Sequence, residues 1–510
     1  MLSYLCGKPI VTLSLIKQLA GETAIYGTSS ILSRLLHYVI LTPFFTRVFL
    51  PAEYGVVSDM YAWAALLMVL FTYRMETAFF RFGNQAKDME KSFSTASISL
   101  LASTLVLTTL FVLAAPSIAS WLKYPEHPEY VIWFAFIIAF DALAAIPFAR
   151  LRLENRPIRF AVVKTLNILV NIFFIFFFLK WCPALIEQGW ESLEWAYRAE
   201  NQITYVFIAN FLASAAVLLF LAPLYRKVNL KFDKALWRRM AVYAAPLVVV
   251  GVAGVINQLI GIPMIKELAS DDLEYNKSLM GTYSAAAKLA VLMNLFTQAF
   301  NYAAEPFFFR NASRSDKGQV YAQVGQAFAL VGSLVFLGIM LYLDILKYFL
   351  GADFRDGLGV VPYLLIAYLF LGLYYNFSIW YKLADRTIIG GVIATIGAAI
   401  TLALNYILIP EIGYYGPAWA ALACYGFMAV ASYWTGKRNY PIPYPMGKIA
   451  TYILSAVLVY MLNVYLYQQI SPGMLGSLLI NTGFMLAWLA GILLLERKKL
   501  MAILRRRRPS

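Results

Sequence analysis

The chain has 510 residues, is 61% hydrophobic and only 14% charged, and carries 42 Lys and Arg against 27 Asp and Glu, a formal charge of +15. Soluble globular domains are about 45–50% apolar and about 25% charged, so this composition excludes one. A basic balance suits polyanions in general, but here the cations sort by position: cut into fourteen apolar spans, the chain places 30 in alternate loops and tails, 8 in the intervening loops and 4 inside the spans.

In chain order, residues 1–23 are amphipathic, carry Lys8 and Lys17 and meet an apolar span without a small-residue cleavage site, as a cytoplasmic segment would and a secretory signal would not. Spans follow at roughly 24–46, 56–80, 93–115, 130–149, 159–180, 202–224, 240–265, 278–303, 319–343, 357–380, 387–409, 417–436, 449–470 and 476–495. Each holds the roughly 20 mostly apolar residues that a hydrocarbon core of about 30 Å requires. Gly27, Ser30, Arg34 and His37 in span 1 share one helical face, as do Lys164, Asn167 and Asn171 in span 5. Gly251, Gly254, Gln258 and Gly261 make a third stripe in span 7, which suits either close helix packing or a polar lining. Pro43, Pro246 and Pro263 each remove a backbone hydrogen bond and favour kinks. Trp181, Trp190 and Trp195 lie among acidic residues after span 5, where a short helix on the membrane surface is expected.

Loops on one side hold Arg150, Arg152, Arg156 and Arg159, then Lys231, Lys234, Arg238 and Arg239, while 15 of the 27 acidic residues lie on the other. By the positive-inside rule the basic side is the cytoplasm, and an even number of spans puts both termini there. An internal repeat sets the higher order: LLMVLFT at 66–72 matches VLMNLFT at 291–297, and ETAFFR at 76–81 matches EPFFFR at 305–310. Six spans separate the copies, so they run parallel. The expected fold is therefore all-α and polytopic, with pseudo-symmetric six-helix lobes at 24–224 and 240–436. A basic loop at 225–239 joins them, spans 13 and 14 occupy 437–495, and a basic tail fills 496–510. Repeats of this type place a substrate site between lobes.

Eight ionisable groups remain in the spans: Arg34, His37, Asp59, Arg74, Glu76, Asp141, Lys164 and Lys288. Each costs at least about 2.5–3.5 kcal/mol at the bilayer centre. Arg34, Asp141 and Lys288 lie about 15 Å from a span end, too deep for easy snorkelling. Arg34 either pairs with Asp141 or lines a cavity, and because cations outnumber carboxylates such a cavity favours an anion. Phosphate or pyrophosphate suits the bidentate guanidinium. Asp141 and Glu76 are candidates for a coupling proton or sodium ion, Glu76 having the plainer alternative of a contact with Arg at a helix end. The three cysteines are scattered, the histidines number two, and no nucleoside-phosphate loop is present, so neither a metal site, a bound cofactor nor an enzyme is expected.

The stretches RVFLPAEYGVVS at 47–58, IPFARLRLENRPIRFAVVKTLNI at 146–168 and KLAVLMNLFTQAFNYAAEPFFF at 288–309 resemble the polysaccharide-transporter branch of the MOP flippase superfamily, which includes the Wzx-type oligosaccharide flippases. The resemblance implies a V of two six-helix lobes, as in MATE transporters, with two added C-terminal helices. It also implies movement of a polyprenyl-diphosphate-linked oligosaccharide, a unit of O-antigen, capsule or exopolysaccharide, across the inner membrane by alternating access. Arg34 and Lys288 match the family's cavity cations by position. The expected binding set is thus Arg34, His37, Lys164, Asn167, Asn171, Gln258 and Lys288. Expected partners are the lipid-linked oligosaccharide, membrane lipids, a polysaccharide polymerase and glycosyltransferases, with no nucleic acid, around a monomer. Lipid II flipping, cation-coupled multidrug export on the same fold, and a membrane-embedded polymerase stay open as alternatives.

Overall fold

A computed structural model describes residues 35–505 apart from 84–88, 155, 195–196, 227, 230 and 471–472, so Arg34 and Trp195 lie outside the described residues. Among the described residues every regular element is helical, and twelve helices are long and apolar enough to cross a membrane. Only a helix satisfies its own backbone groups where no water reaches, which is why near-continuous apolar runs fold this way.

The chain forms two compact units, one of Ser33–Ser284 with Thr401–Tyr414 and the other of Ala285–Ile400 with Tyr415–Ser510. The first contains α1 (Leu35–Val48), α2 (Pro51–Thr72), α3 (Met75–Phe82), α4 (Met89–Leu113), α5 (Ala115–Trp121) and α6 (Pro128–Leu153). It continues through α7 (Pro157–Phe176), α8 (Cys182–Glu187), α9 (Gln202–Tyr225), α10 (Lys234–Leu259), α11 (Gly261–Leu268) and the first turns of α12 (Leu273–Arg310). Helices from both sides of the 225–239 loop thus pack in one unit. Proline at the first position starts α2, α6 and α7, where its missing N–H would have no partner in any case. Asp233 caps α10 by accepting the Leu236 N–H at 2.8 Å, so Lys234, Arg238 and Arg239, expected in a loop, lie in a helix.

Two spans are broken. The second divides into α2 and α3 at Tyr73 (φ 34°) and Arg74 (φ 57°), both left-handed and neither glycine. Such residues cost about 1–3 kcal/mol each. The bend is tied by Tyr73 Oη to Ser99 Oγ at 2.5 Å, and Ser99 also accepts the Trp237 indole N–H at 2.7 Å. The seventh divides at Ile260, between α10 and α11, because Pro263 cannot donate to the Leu259 carbonyl. Pro246, by contrast, sits inside an uninterrupted α10. After span 5 the helix runs through a π-turn at Phe177–Trp181 into the six-residue α8, leaving Trp190 exposed.

Where α2 meets α12, Gly55 faces the Lys277 carbonyl and Gly281 faces the Pro51 carbonyl so closely that a Cβ at either position would overlap the oxygen. The two helices therefore cross backbone on backbone, the approach that small residues permit.

The second unit holds the rest of α12, then α13 (Lys317–Leu341), α14 (Leu343–Leu346), α15 (Val361–Phe377) and α16 (Ile379–Leu383). The first turns of α17 (Thr387–Ile412), α18 (Tyr415–Asn439), α19 (Met446–Ile470) and α20 (Met474–Arg505) complete it. The Phe328 ring fills the gap over Gly372, and Thr297 donates to the Tyr368 carbonyl at 3.1 Å. Asn463 bonds Asn481 at 2.9 Å and Trp488 bonds Ser455 at 2.9 Å between α19 and α20, whose Leu454, Leu458, Leu479 and Leu493 remain exposed as lipid-facing residues are.

Candidate functional site

Charged groups mark three levels of the first unit. On the acidic side, Lys266 of α11 and Asp59 of α2 are 1% and 0% exposed and meet at 2.5 Å. The ammonium also donates to the Leu122 carbonyl at 2.8 Å, and Tyr124 Oη donates to the same Asp59 oxygen at 2.8 Å. Lys266 Nζ lies 4.7 Å from the centre of the Tyr124 ring, and Asn276 Nδ2 holds the Lys266 carbonyl at 3.0 Å. Lys123 and Glu267 pair beside this group at 2.8 Å. Both charges are paired and hydrogen-bonded through Asp59 Oδ2, which makes their burial tolerable, while Asp59 Oδ1 is buried without a hydrogen bond among the described residues. The sequence put Asp59 one turn inside span 2 and Lys266 just past span 7, where neither needed a partner. The readable signal was the lysine itself, at the end of an apolar helix broken by Pro263.

At mid-depth, four helices share a polar cluster. Ser214 of α9 donates to Asp141 of α6 at 2.9 Å, and Asp141 and Lys164 of α7 attract one another. Lys164 Nζ also lies 4.2 Å over the Phe148 ring, while Asn210 of α9 donates to Tyr61 of α2 at 3.0 Å. Further along α7, Asn167 is half-buried and Asn171 is 5% exposed, its Oδ1 buried without a hydrogen-bond partner among the described residues. Asp141 and Lys164, singled out separately in the sequence, are therefore neighbours.

Toward the basic side, Arg74, the second residue of the left-handed bend, lies 3.8 Å from Glu76, whose Oε2 is buried without a hydrogen bond among the described residues. Gly251 of α10 is what admits Arg74, since a Cβ there would sit 2.6 Å from Nε. Gly254 faces open space, so the glycine stripe of span 7 serves one arginine at one position and no close packing at the next. Gln258 is exposed, whereas its neighbour Asn257 is buried and accepts from Thr401 at 3.3 Å. Arg150, expected in a loop, is 1% exposed in the last turn of α6. It binds both oxygens of Glu90 and, at 2.7 Å, Glu154, with the Phe93 ring 4.4 Å away.

His37 is half-buried on α1 with Tyr38 edge-on at 6.0 Å, and Lys288 is half-buried on α12 in the second unit. In that unit Lys382 pairs with Glu305 at 2.8 Å. Among the described residues no three His, Cys, Asp or Glu side chains converge as metal ligands. What the clusters supply is fixed charge and hydrogen-bonding groups at membrane depth, where such groups line routes for polar cargo.

A sequence profile of the polysaccharide biosynthesis protein family matches residues 19–312. Among solved structures, the chain is similar to the lipid II flippase MurJ in an inward closed conformation, with 14% identity and a TM-score of 0.68 over 93% of this chain and 99% of that one. It is also similar to an inward-facing multidrug resistance MATE family transporter of the MOP superfamily, at 12% identity and a TM-score of 0.57 over 79% and 97% of the two chains. The bent form of the Vibrio cholerae MATE transporter VcmN gives 12% identity and a TM-score of 0.55 over 88% and 99%. At these identities the likeness is one of fold. No curated protein matches the chain by sequence.

Proposed function

The chain belongs to the polysaccharide biosynthesis protein family, within the MOP superfamily of flippases and transporters, and on that premise we propose that it carries a polyprenyl-diphosphate-linked oligosaccharide across the cytoplasmic membrane. The observation that carries the proposal is the family match together with the excess of cations over carboxylates left inside the spans. In this scheme Arg34, Lys288 and Lys164 hold the diphosphate, and His37, Asn167, Asn171 and Gln258 offer hydrogen bonds to sugars. The polyprenyl tail stays in lipid, and two six-helix lobes alternate access from cytoplasm to periplasm. Asp141, already beside Lys164, is the candidate for a coupling proton or sodium ion, with Glu76 second. Both termini lie in the cytoplasm, and no covalent chemistry is involved.

Each charge-assisted hydrogen bond to the diphosphate is worth about 1.5–3 kcal/mol. In reconstituted vesicles, Arg34→Ala and Lys288→Ala should therefore each slow translocation of a diphosphate-linked glycan about 10–100-fold. Two variants that match the parent protein, or a parent that moves no such lipid, would overturn the proposal. Lipid II is the second substrate to include, because the MurJ fold covers 93% of the chain. Transport of lipid II with no transport of other lipid-linked glycans would select that alternative.

A further inference from the structure

An open cleft of about 1080 Å³ lies where the end of α3 meets the first turns of α10, on the basic side of the first unit. Arg81 and Phe82 line it from α3, and Lys234, Arg238, Arg239 and Val242 from α10. Lys234, Arg238 and Val242 are four residues apart, so they rise along one helical face.

Two of the guanidinium groups are held by rings: Arg81 lies 4.4 Å over Tyr243, and Arg239 lies 5.3 Å over Phe82. A ring engages the flat face of a guanidinium and leaves its N–H edge available. Among the described residues no carboxylate lies within 4.0 Å of Arg81, Lys234, Arg238 or Arg239. The nearby Asp233 is already engaged, capping Leu236 and pairing with Lys91 at 2.5 Å. The Leu236 N–H and Lys91 hold its carboxyl below the usual carboxylate range, so it stays charged and bound to them. Among the described residues the cleft therefore presents four positive charges with no carboxylate partner. Its lining has an apolar part as well: Val242, one of the lining residues, is 69% exposed.

We propose that this cleft is a docking site for a phosphate-bearing lipid headgroup. Arg81, Arg238 and Arg239 take the phosphate oxygens, and the start of the lipid chain lies against Val242. Arginine edges bind phosphate through paired parallel hydrogen bonds, so a diphosphate, with two anionic groups, engages more of them than a single phosphate. The substrate class rests on the flippase reading: the cleft is where a diphosphate lipid is captured at the membrane surface before it moves into the spans. A membrane phospholipid and free pyrophosphate offer the same chemistry.

Equilibrium binding of radiolabelled farnesyl diphosphate to the purified full-length protein, in detergent free of anionic lipid, tests the site. Arg238→Glu combined with Arg239→Glu should weaken binding at least tenfold. Arg238→Lys with Arg239→Lys, which keeps the charge but loses the paired hydrogen bonds, should bind more tightly than the charge-reversed protein and so show that the fold tolerates changes there. Competition assigns the source. Displacement by inorganic pyrophosphate at the same concentration points to free phosphate, and displacement by phosphatidylglycerol bicelles points to bulk phospholipid. Resistance to both leaves the lipid diphosphate. Binding untouched by charge reversal overturns the site, as does a parent protein that binds none of the three probes. A protein that binds at the cleft yet moves no lipid-linked glycan in vesicles keeps this site and loses the flippase reading. Translocation that survives charge reversal with farnesyl diphosphate binding intact does the opposite.

Discussion

Gly281→Leu should abolish the native crossing of α2 and α12, while Gly254→Ala leaves stability unchanged or slightly raised. The Cβ of any residue at 281 would fall on the Pro51 carbonyl, and the matching position, Gly55, meets the Lys277 carbonyl. Neither obstacle is the end of a side chain that can swing aside; both are helix backbone. Overpacking a core costs typically about 1–3 kcal/mol when neighbouring side chains can adjust. Here the helix axes must separate, so the loss for Gly281→Leu should exceed the top of that range. Gly254 is the control because nothing lies within 4 Å of its Cβ direction, and alanine is the better helix former by about 1 kcal/mol. Thermal unfolding of the purified proteins reads both. A Gly281→Leu protein as stable as the parent would show that α2 and α12 do not meet at these glycines.

Lys266→Ala and Asp59→Ala should each cost about 3–5 kcal/mol, the usual penalty for stranding one charge of a buried pair. The joint change Asp59→Leu with Lys266→Met should recover much of that loss, since a packed apolar pair of similar size is often no worse than the ions it replaces. Tyr124→Phe removes one hydrogen bond to Asp59 and should cost about 1 kcal/mol. Denaturant or thermal unfolding of the four variants, with Asp59→Leu and Lys266→Met also made singly, gives the coupling. Additive losses in the double variant would mean that the two charges do not interact as the 2.5 Å contact requires.

The helices were legible because hydropathy is a local property: twenty apolar residues in a row have one stable fold in lipid, and the twelve long apolar helices fall on expected spans. The bend at Tyr73 and Arg74 was not, since both residues suit an unbroken helix and their left-handed backbone is imposed by contacts such as Ser99, 26 residues away. Arg150 reads as a loop residue because it belongs to a run of basic residues, yet it is the one whose helical position faces Glu90, 60 residues earlier. The same limit hid the acidic-side pair: Asp59 and Lys266 are 207 residues apart, and nothing local at either position announces the other. Depth singles out Asp141 and the polar stripe of span 5 singles out Lys164, and the fold brings the two together, but neither signal says that Ser214 completes their cluster. Glycine spacing in span 7 flagged a face without distinguishing Gly251, which seats an arginine, from Gly254, which seats nothing.

The burial of Lys266 gives the protein an internal chemical clock. Its amine is 1% exposed while that of Lys123, close by on the same side, is 41% exposed. An acylating reagent applied from that side can reach Lys123 without any helix moving, but reaches Lys266 only during moments when α2 and α11 part. The ratio of the two acylation rates therefore measures how often that contact opens, with no engineered label.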